Sequence, residues 1–159
     1  MARVNPPGVA EFHWITTVSD DAAPTAAELN GGADLTSFVR GVPSIPESFN
    51  TADTSNLSSK RISNIPSTFG GDVGTVTVYM DDTTDTAYDT LLRDTAGFVA
   101  IGWYGLATAG TWAIGDDVWL YPATIGSRPV DPVGDTDALV STISFTITSD
   151  PAEKFSVAA

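Results

Sequence analysis

Residues 67–105 read STFGGDVGTVTVYMDDTTDTAYDTLLRDTAGFVAIGWYG, and they set the strongest strand, the clearest helix and the most apolar strand in immediate succession. From Val76, the alternation of Val76, Val78 and Met80 with Thr75, Thr77 and Tyr79 has the period of two that marks a strand with one buried face, and Gly70, Gly71 and Gly74 punctuate its start. The strand ends at Asp81. A helix is expected over about residues 83–94. Asp82, Thr83 and Asp85 supply oxygens and negative charge for its free N-terminal amides, and Tyr88, Leu91 and Leu92 form an apolar stripe at i, i+3, i+4. Gly97 should end it. Residues 98–104 are aromatic and β-branched with no polar face, so they predict a central strand, covered by the helix on one side and by a second sheet or a neighbouring subunit on the other.

Working outward, residues 11–18 (EFHWITTV) read as a first strand, and residues 24–29 as a single helical turn broken by Asn30, Gly31 and Gly32. Residues 34–42 read as a second strand anchored by Leu35 and Val39. Residues 116–125 read as another, in which Pro122 suggests an edge or a bulge. Residues 139–148 alternate Leu139, Ser141, Ile143, Phe145 and Ile147 with hydroxyl-bearing and small residues, giving one core face and one hydroxyl face. Between the early strands and the core unit lies a long loop, about residues 43–71, rich in Ser, Thr, Asn and Pro. Loops longer than about 15 residues are uncommon inside compact domains and are often functional arms. Ile45, Phe49, Leu57, Ile62, Ile65 and Phe69 are too many apolar anchors for a solvated linker, so the loop is expected to bury them against a partner, with Lys60 and Arg61 available for an inter-subunit ion pair. The fold class is mainly β (α+β) with one flanking helix, in one domain spanning residues 1–159.

A chain of 159 residues, 42% hydrophobic and free of Cys, can build a core by packing but offers no disulfide, thiolate nucleophile or Cys-ligated zinc. It has no apolar leader, and no apolar run approaches the roughly 18 residues of a membrane span. Twenty Asp and Glu against seven Lys and Arg give a net charge of −13, which argues against a protein that grips nucleic acid by neutralising phosphates and equally serves solubility. His13 is the chain's one His, so with no Cys in the chain the sequence favours a packed or surface side chain over a metal ligand or general base. The pairs Asp20–Asp21, Asp81–Asp82 and Asp116–Asp117 fall at turns, where Asp bonds its own backbone. Asp81, Asp82, Asp85 and Asp89 come nearest to a calcium loop but lack its central Gly and its closing Glu. Serine-nucleophile, phosphate-loop and dinucleotide motifs are absent. The reading is of a non-enzyme with no cofactor and no metal.

Three stretches carry a family likeness: APTAAELNGGADLTSFV (residues 23–39), IPSTFGGDVGTVTVYMDDTTDTAYDTLLRD (residues 65–94) and SFTITSDPAEKFSVAA (residues 144–159). Together with the long loop and the doubly apolar strand, they resemble the major tail tube proteins of long-tailed bacteriophages with non-contractile tails, of the siphophage type. The resemblance implies a β-sandwich or barrel-like fold with one flanking helix, built as stacked and hexameric rings into a virion tail tube in the host cytoplasm. It further implies that the loop reaches a neighbouring subunit, that tape measure and other tail proteins are partners, and that double-stranded DNA passes through without specific binding. On that reading Asp72, Asp81, Asp82, Asp116 and Asp117 are candidates for the lumen or its ring-to-ring rims, equally readable as turn and cap residues. Two rival classes share the composition. One is a capsid decoration or head–tail connector protein, and the other is a carbohydrate-binding β-sandwich that would present Trp14, Trp103, Trp112 or Trp119.

Overall fold

A computed structural model describes residues 8–53, 64–81, 83–131 and 137–159. In chain order the elements are β1 (Glu11–Ile15), α1 (Ala26–Asn30), β2 (Ala33–Asp34), a 3-10 turn (Thr36–Phe38), β3 (Glu47–Asp53), β4 (Asn64–Gly71), β5 (Val73–Tyr79), α2 (Thr86–Thr90), β6 (Ala96–Gly102), β7 (Asp117–Ile125), β8 (Val130–Asp131), β9 (Val140–Ile147) and β10 (Ala152–Ser156). Eight strands form one antiparallel sheet in the order β2-β1-β6-β7-β9-β5, with β10 paired to β7 and β8 to β9, while β3 and β4 form a separate two-stranded sheet. The protein is mainly β, as its alternating patterns require.

The sheet curls. Val76 and Val78 of β5 and Ile143 and Phe145 of β9 share one cluster with Phe12 and Trp14 of β1, Val99 and Ile101 of β6, and Tyr121, Ala123 and Ile125 of β7. Residues 35–46 link the two free edges: Leu35 N donates to Phe12 O of β1 at 3.0 Å, Arg40 N to Thr77 O of β5 at 2.7 Å, and Ser44 and Thr75 exchange both backbone bonds at 2.9 Å. A second cluster lies on the opposite face, where Ile15, Ala100, Val118 and Leu120 meet Leu29 of α1, Trp112 and Val157. Strand β6 is thus buried on both faces as its sequence demands. Its covers are α2 and the curl of its own sheet on one side, and α1, Trp112 and the C-terminal stretch on the other. A short helix suffices at α1 because its end is capped: Thr25 Oγ1 accepts from Glu28 N at 3.3 Å while Glu28 Oε2 accepts from Thr25 N at 3.0 Å.

Five sequence expectations change. The helix expected over residues 83–94 is only Thr86–Thr90, because the chain beyond it is drawn into the sheet: Asp94 N donates to Ile125 O at 2.9 Å and Thr95 O accepts from Ile125 N at 3.0 Å. Leu91 therefore turns into the core and Leu92, instead of extending a stripe, is half exposed. Gly97, expected to end that helix, lies inside β6, with Trp14 Cζ2 only 2.6 Å from where a Cβ would stand. The strand expected over residues 34–42 shrinks to β2 and a 3-10 turn, since Asp34 Oδ1 captures Thr36 N at 2.9 Å and Thr36 Oγ1 captures Phe12 N at 2.9 Å. Its anchors hold nonetheless, with Leu35 buried and Val39 packed on the core. Pro122 sits in a central strand, not at an edge: its carbonyl accepts from Thr148 N at 2.9 Å, at the point along β7 where β10 (paired through Leu120) gives way to β9 (from Ala123). The ladder changes partner there, so a missing N–H costs nothing. Finally, the long loop of residues 43–71 contains the β3–β4 hairpin, whose described side chains are almost all exposed.

Leu91 is 1% exposed and Leu92 51%, and that contrast tests α2. Leu91→Asp should lose about 3–5 kcal/mol of stability by burying an unpaired charge, whereas Leu92→Asp should stay within about 0.5 kcal/mol of the parent. Urea unfolding followed by tryptophan fluorescence reads both. Equal losses would mean that the helix is oriented otherwise.

Candidate functional site

The hairpin is the part of the chain least explained by its own core. Glu47 pairs with Gly71, Ser48 with Gly70 and Phe49 with Phe69; the register then shifts, and Thr51 faces Pro66, Ala52 faces Ile65 and Asp53 faces Asn64. Among the described residues, Ser48 Oγ donates across it to Gly70 O at 3.3 Å and Asn50 Nδ2 to Thr68 Oγ1 at 3.0 Å. Ser48, Asn50, Thr51, Ile65, Pro66 and Thr68 are all exposed. A lone two-stranded ribbon is marginal in water, so its order depends on what it rests against. Its root is firm: Pro46 O accepts from Asp72 N at 3.2 Å, and Ile45 packs on the chain's own core. Among the expected loop residues, Ile65 is 52% exposed on the ribbon, Phe49 and Phe69 stand opposite one another in register, and Leu57, Lys60, Arg61 and Ile62 lie outside the described residues.

Beside the root opens a cleft of about 560 Å³ between Ile45, Glu47, Gly71, Tyr121, Ile147 and Glu153. Two carboxyl groups face each other there, one from β3 and one from β10. The Glu153 carboxyl is held above the usual carboxylate range, first by a hydrogen bond to Glu47 that requires a proton, then by burial and by the charge of Glu47. Burial also pushes the Tyr121 hydroxyl up to about 12, with Glu153 and Glu47 adding to the effect. Sequence spacing gave no hint of this pair, since the two residues stand 106 positions apart and only the fold brings them together.

The expected rim acids are not gathered. Asp72 and Asp81 are exposed at the two ends of β5, and Asp116–Asp117 open β7. Asp116 is committed locally, its Oδ2 accepting from Ala113 N at 2.9 Å and its Oδ1 from Ala107 N at 3.4 Å. Asp81 Oδ1 accepts from Thr83 N at 3.2 Å, and Asp81 N donates to Asp85 Oδ1 at 2.8 Å. Asp117 is half-buried opposite Ser156, and Asp82 lies outside the described residues. The tryptophans make no sugar platform: Trp14 and Trp112 are buried, and Trp103 and Trp119 pack against the main core. His13 is 2% exposed and edge-on to Trp112, with ring centroids 5.4 Å apart. Burial lowers its pKa while Asp34 and Glu11 pull it back up. Among the described residues no helix is long and apolar enough to cross a membrane.

A family model described as "Phage tail tube protein" matches residues 1–159. No curated protein sequence matches the chain. Among solved structures, a chain of the anti-feeding prophage baseplate, determined by cryo-electron microscopy and six-fold symmetrised, is similar at a TM-score of 0.60 with 10% identity over 95% of both chains. Hcp protein aligns at a TM-score of 0.39 with 10% identity over 87% of both chains. The baseplate likeness supports the barrel-like fold.

The carboxyl pair makes a pH prediction. The folded pKa of Glu153 is raised, so the contact stabilises at acid pH and is lost as pH rises through the folded value, leaving two repelling carboxylates at neutrality. Glu153→Gln keeps a donor to Glu47 at every pH. Thermal melts should therefore superimpose at low pH, while at neutral pH the variant should be the more stable by up to about 1 kcal/mol, small because the pair is near the surface. A variant no more stable at neutral pH would dissolve the pair.

Proposed function

The chain belongs to the phage tail tube protein family, and from that premise we propose that it is the major tube subunit of a non-contractile tail, polymerising as stacked hexameric rings around the genome's exit path. The observation that carries this beyond family membership is the β3–β4 ribbon, a rooted but unsupported arm whose described side chains are almost all exposed. A ribbon of that kind finds its second surface on an adjacent subunit. The six-fold baseplate particle whose chain has a similar fold supports six as the ring number. The single domain serves as one repeating brick, and its partners are further copies of itself, the tape measure protein and other tail proteins, in a virion tail assembled in the host cytoplasm. An acidic chain that offers DNA few positive charges lets the duplex slide without release of bound counterions. Neither catalysis nor a cofactor has a part in that role. The decoration-protein and connector alternatives draw no support from the family match, and the packed tryptophans speak against sugar binding.

Because Pro46 and Asp72 are already hydrogen-bonded, residues 48–70 can be replaced by a short Gly-containing turn without straining the root. The resulting subunit should stay folded and soluble but form no tubes by negative-stain microscopy, whereas the parent forms tubes of uniform diameter. Tubes of normal spacing from the deletion would show that the ribbon is not the assembly element.

Charge at the lumen is tested in the virus. Asp72 and Asp81, both exposed, are changed together to Lys, sparing Asp116. If these acids line the lumen or its rims, tails assemble and particles fill, yet ejection slows, and the defect fades at high salt as screening shortens the reach of each charge. Parental ejection kinetics from particles carrying the substitutions would leave both acids as local turn residues.

A further inference from the structure

The fold brings together three residues that the sequence keeps apart. Glu11 and His13 point from the same face of β1, and Asp34 stands opposite His13 in β2. One donor atom from each lies within 4.8 Å of the other two, and His13 Nε2 is 3.6 Å from Asp34 Oδ1. Both imidazole nitrogens are buried without a hydrogen-bond partner, a state that buried polar atoms rarely keep. We propose that Glu11, His13 and Asp34 bind a divalent first-row transition metal ion, of which Zn²⁺ is the simplest probe.

The surroundings are arranged as an outer shell for such an ion. Thr36 Oγ1 donates to Glu11 Oε2 at 3.0 Å, Gly110 N donates to Glu11 Oε1 at 3.3 Å, and Thr36 N donates to Asp34 Oδ1 at 2.9 Å, so each carboxylate is oriented while retaining lone pairs. Gly110 adopts φ +71°, and a Cβ there would stand 2.9 Å from Asp34 Oδ2; backbone, and not a side chain, closes over the carboxylates. One imidazole and two carboxylates suit the borderline ions, whereas calcium and magnesium sites are built from oxygen alone. Asp34 is the exposed member and forms the way in. Bound there, the ion would tie β1 to residues 33–36, where the sheet's edges are joined.

The test uses the untagged full-length chain freed of metal with EDTA. Zn²⁺ alone should bind at one ion per chain by calorimetry and raise the melting temperature, and EDTA should reverse the rise. Asp34→Asn, at an exposed position whose Oδ1 can still accept from Thr36 N, should weaken Zn²⁺ about tenfold or more and leave the metal-free melt near the parent's. A second reading needs no variant. Because the chain has one His, an imidazole in the X-ray absorption spectrum of bound zinc can come only from position 13. One imidazole with an oxygen shell is the expected result. No binding up to millimolar Zn²⁺, unchanged affinity in the variant, or an all-oxygen shell would overturn the proposal and leave His13 as a packed histidine.

Discussion

Strand β7 is the constraint on which the rest depends. It is buried on both faces, so its backbone groups must find partners within the chain, and it meets β6 along one side and β10 followed by β9 along the other. That sharing forces the sheet to bend, because β9 leaves β7 after Ala123–Ile125 and carries β5 round toward β1. Once the sheet is bent, two inner surfaces must be filled separately. The concave one takes the aromatic and branched residues of five strands together with Ala87 and Leu91 near α2, and the other takes Trp112, Leu29 and Val157.

The same arrangement decides what is left over for assembly. A sheet whose edges are linked by residues 35–46 has little free edge to offer another chain along those strands, so open strand pairing is discouraged. The β3–β4 ribbon escapes the closure. It leaves from Pro46 and returns at Asp72, two residues already bonded to each other, and carries its exposed strands away from the core. An arm built in this way can change its contacts without disturbing the barrel-like body. That separation is the physical basis of the proposal that the body supplies packing and the arm association.

Charge follows a different logic from packing. Of the acids near strand ends, Asp116 and Asp81 are engaged by backbone amides of their own turns, whereas Asp72 keeps its place at the ribbon's root. The excess of carboxylates therefore has two parts, one consumed by turns and one left facing outward. Glu47 and Glu153 show where the excess becomes a local cost, since two acids drawn together by the fold can share a proton but cannot both ionise comfortably.

The sequence by itself determined the strands whose burial shows in their own residues, as an alternation or as a run apolar on both faces. The alternation of Val76 and Val78, the doubly apolar run from Phe98, and the Leu139 to Thr148 pattern became β5, β6 and β9, because burial selects side chains with the period of the backbone. It also determined Leu35 and Val39 as anchors, Asn30 and Gly31 as the end of α1, and the likeness in residues 65–94 to tail tube proteins. Only the tertiary structure decided the rest. The described side chains of the ribbon are almost all exposed and so write no period. Helix α2 stops early because Ile125 of β7 takes the backbone of Asp94 and Thr95, and Pro122 is harmless in a central strand because the neighbouring strand changes there. Glu11, His13 and Asp34 meet through strand register, as do Glu47 and Glu153 through the docking of β10 near the hairpin's root. Register and docking are relations between distant segments, and a one-dimensional pattern records only what each segment does to its own solvent exposure.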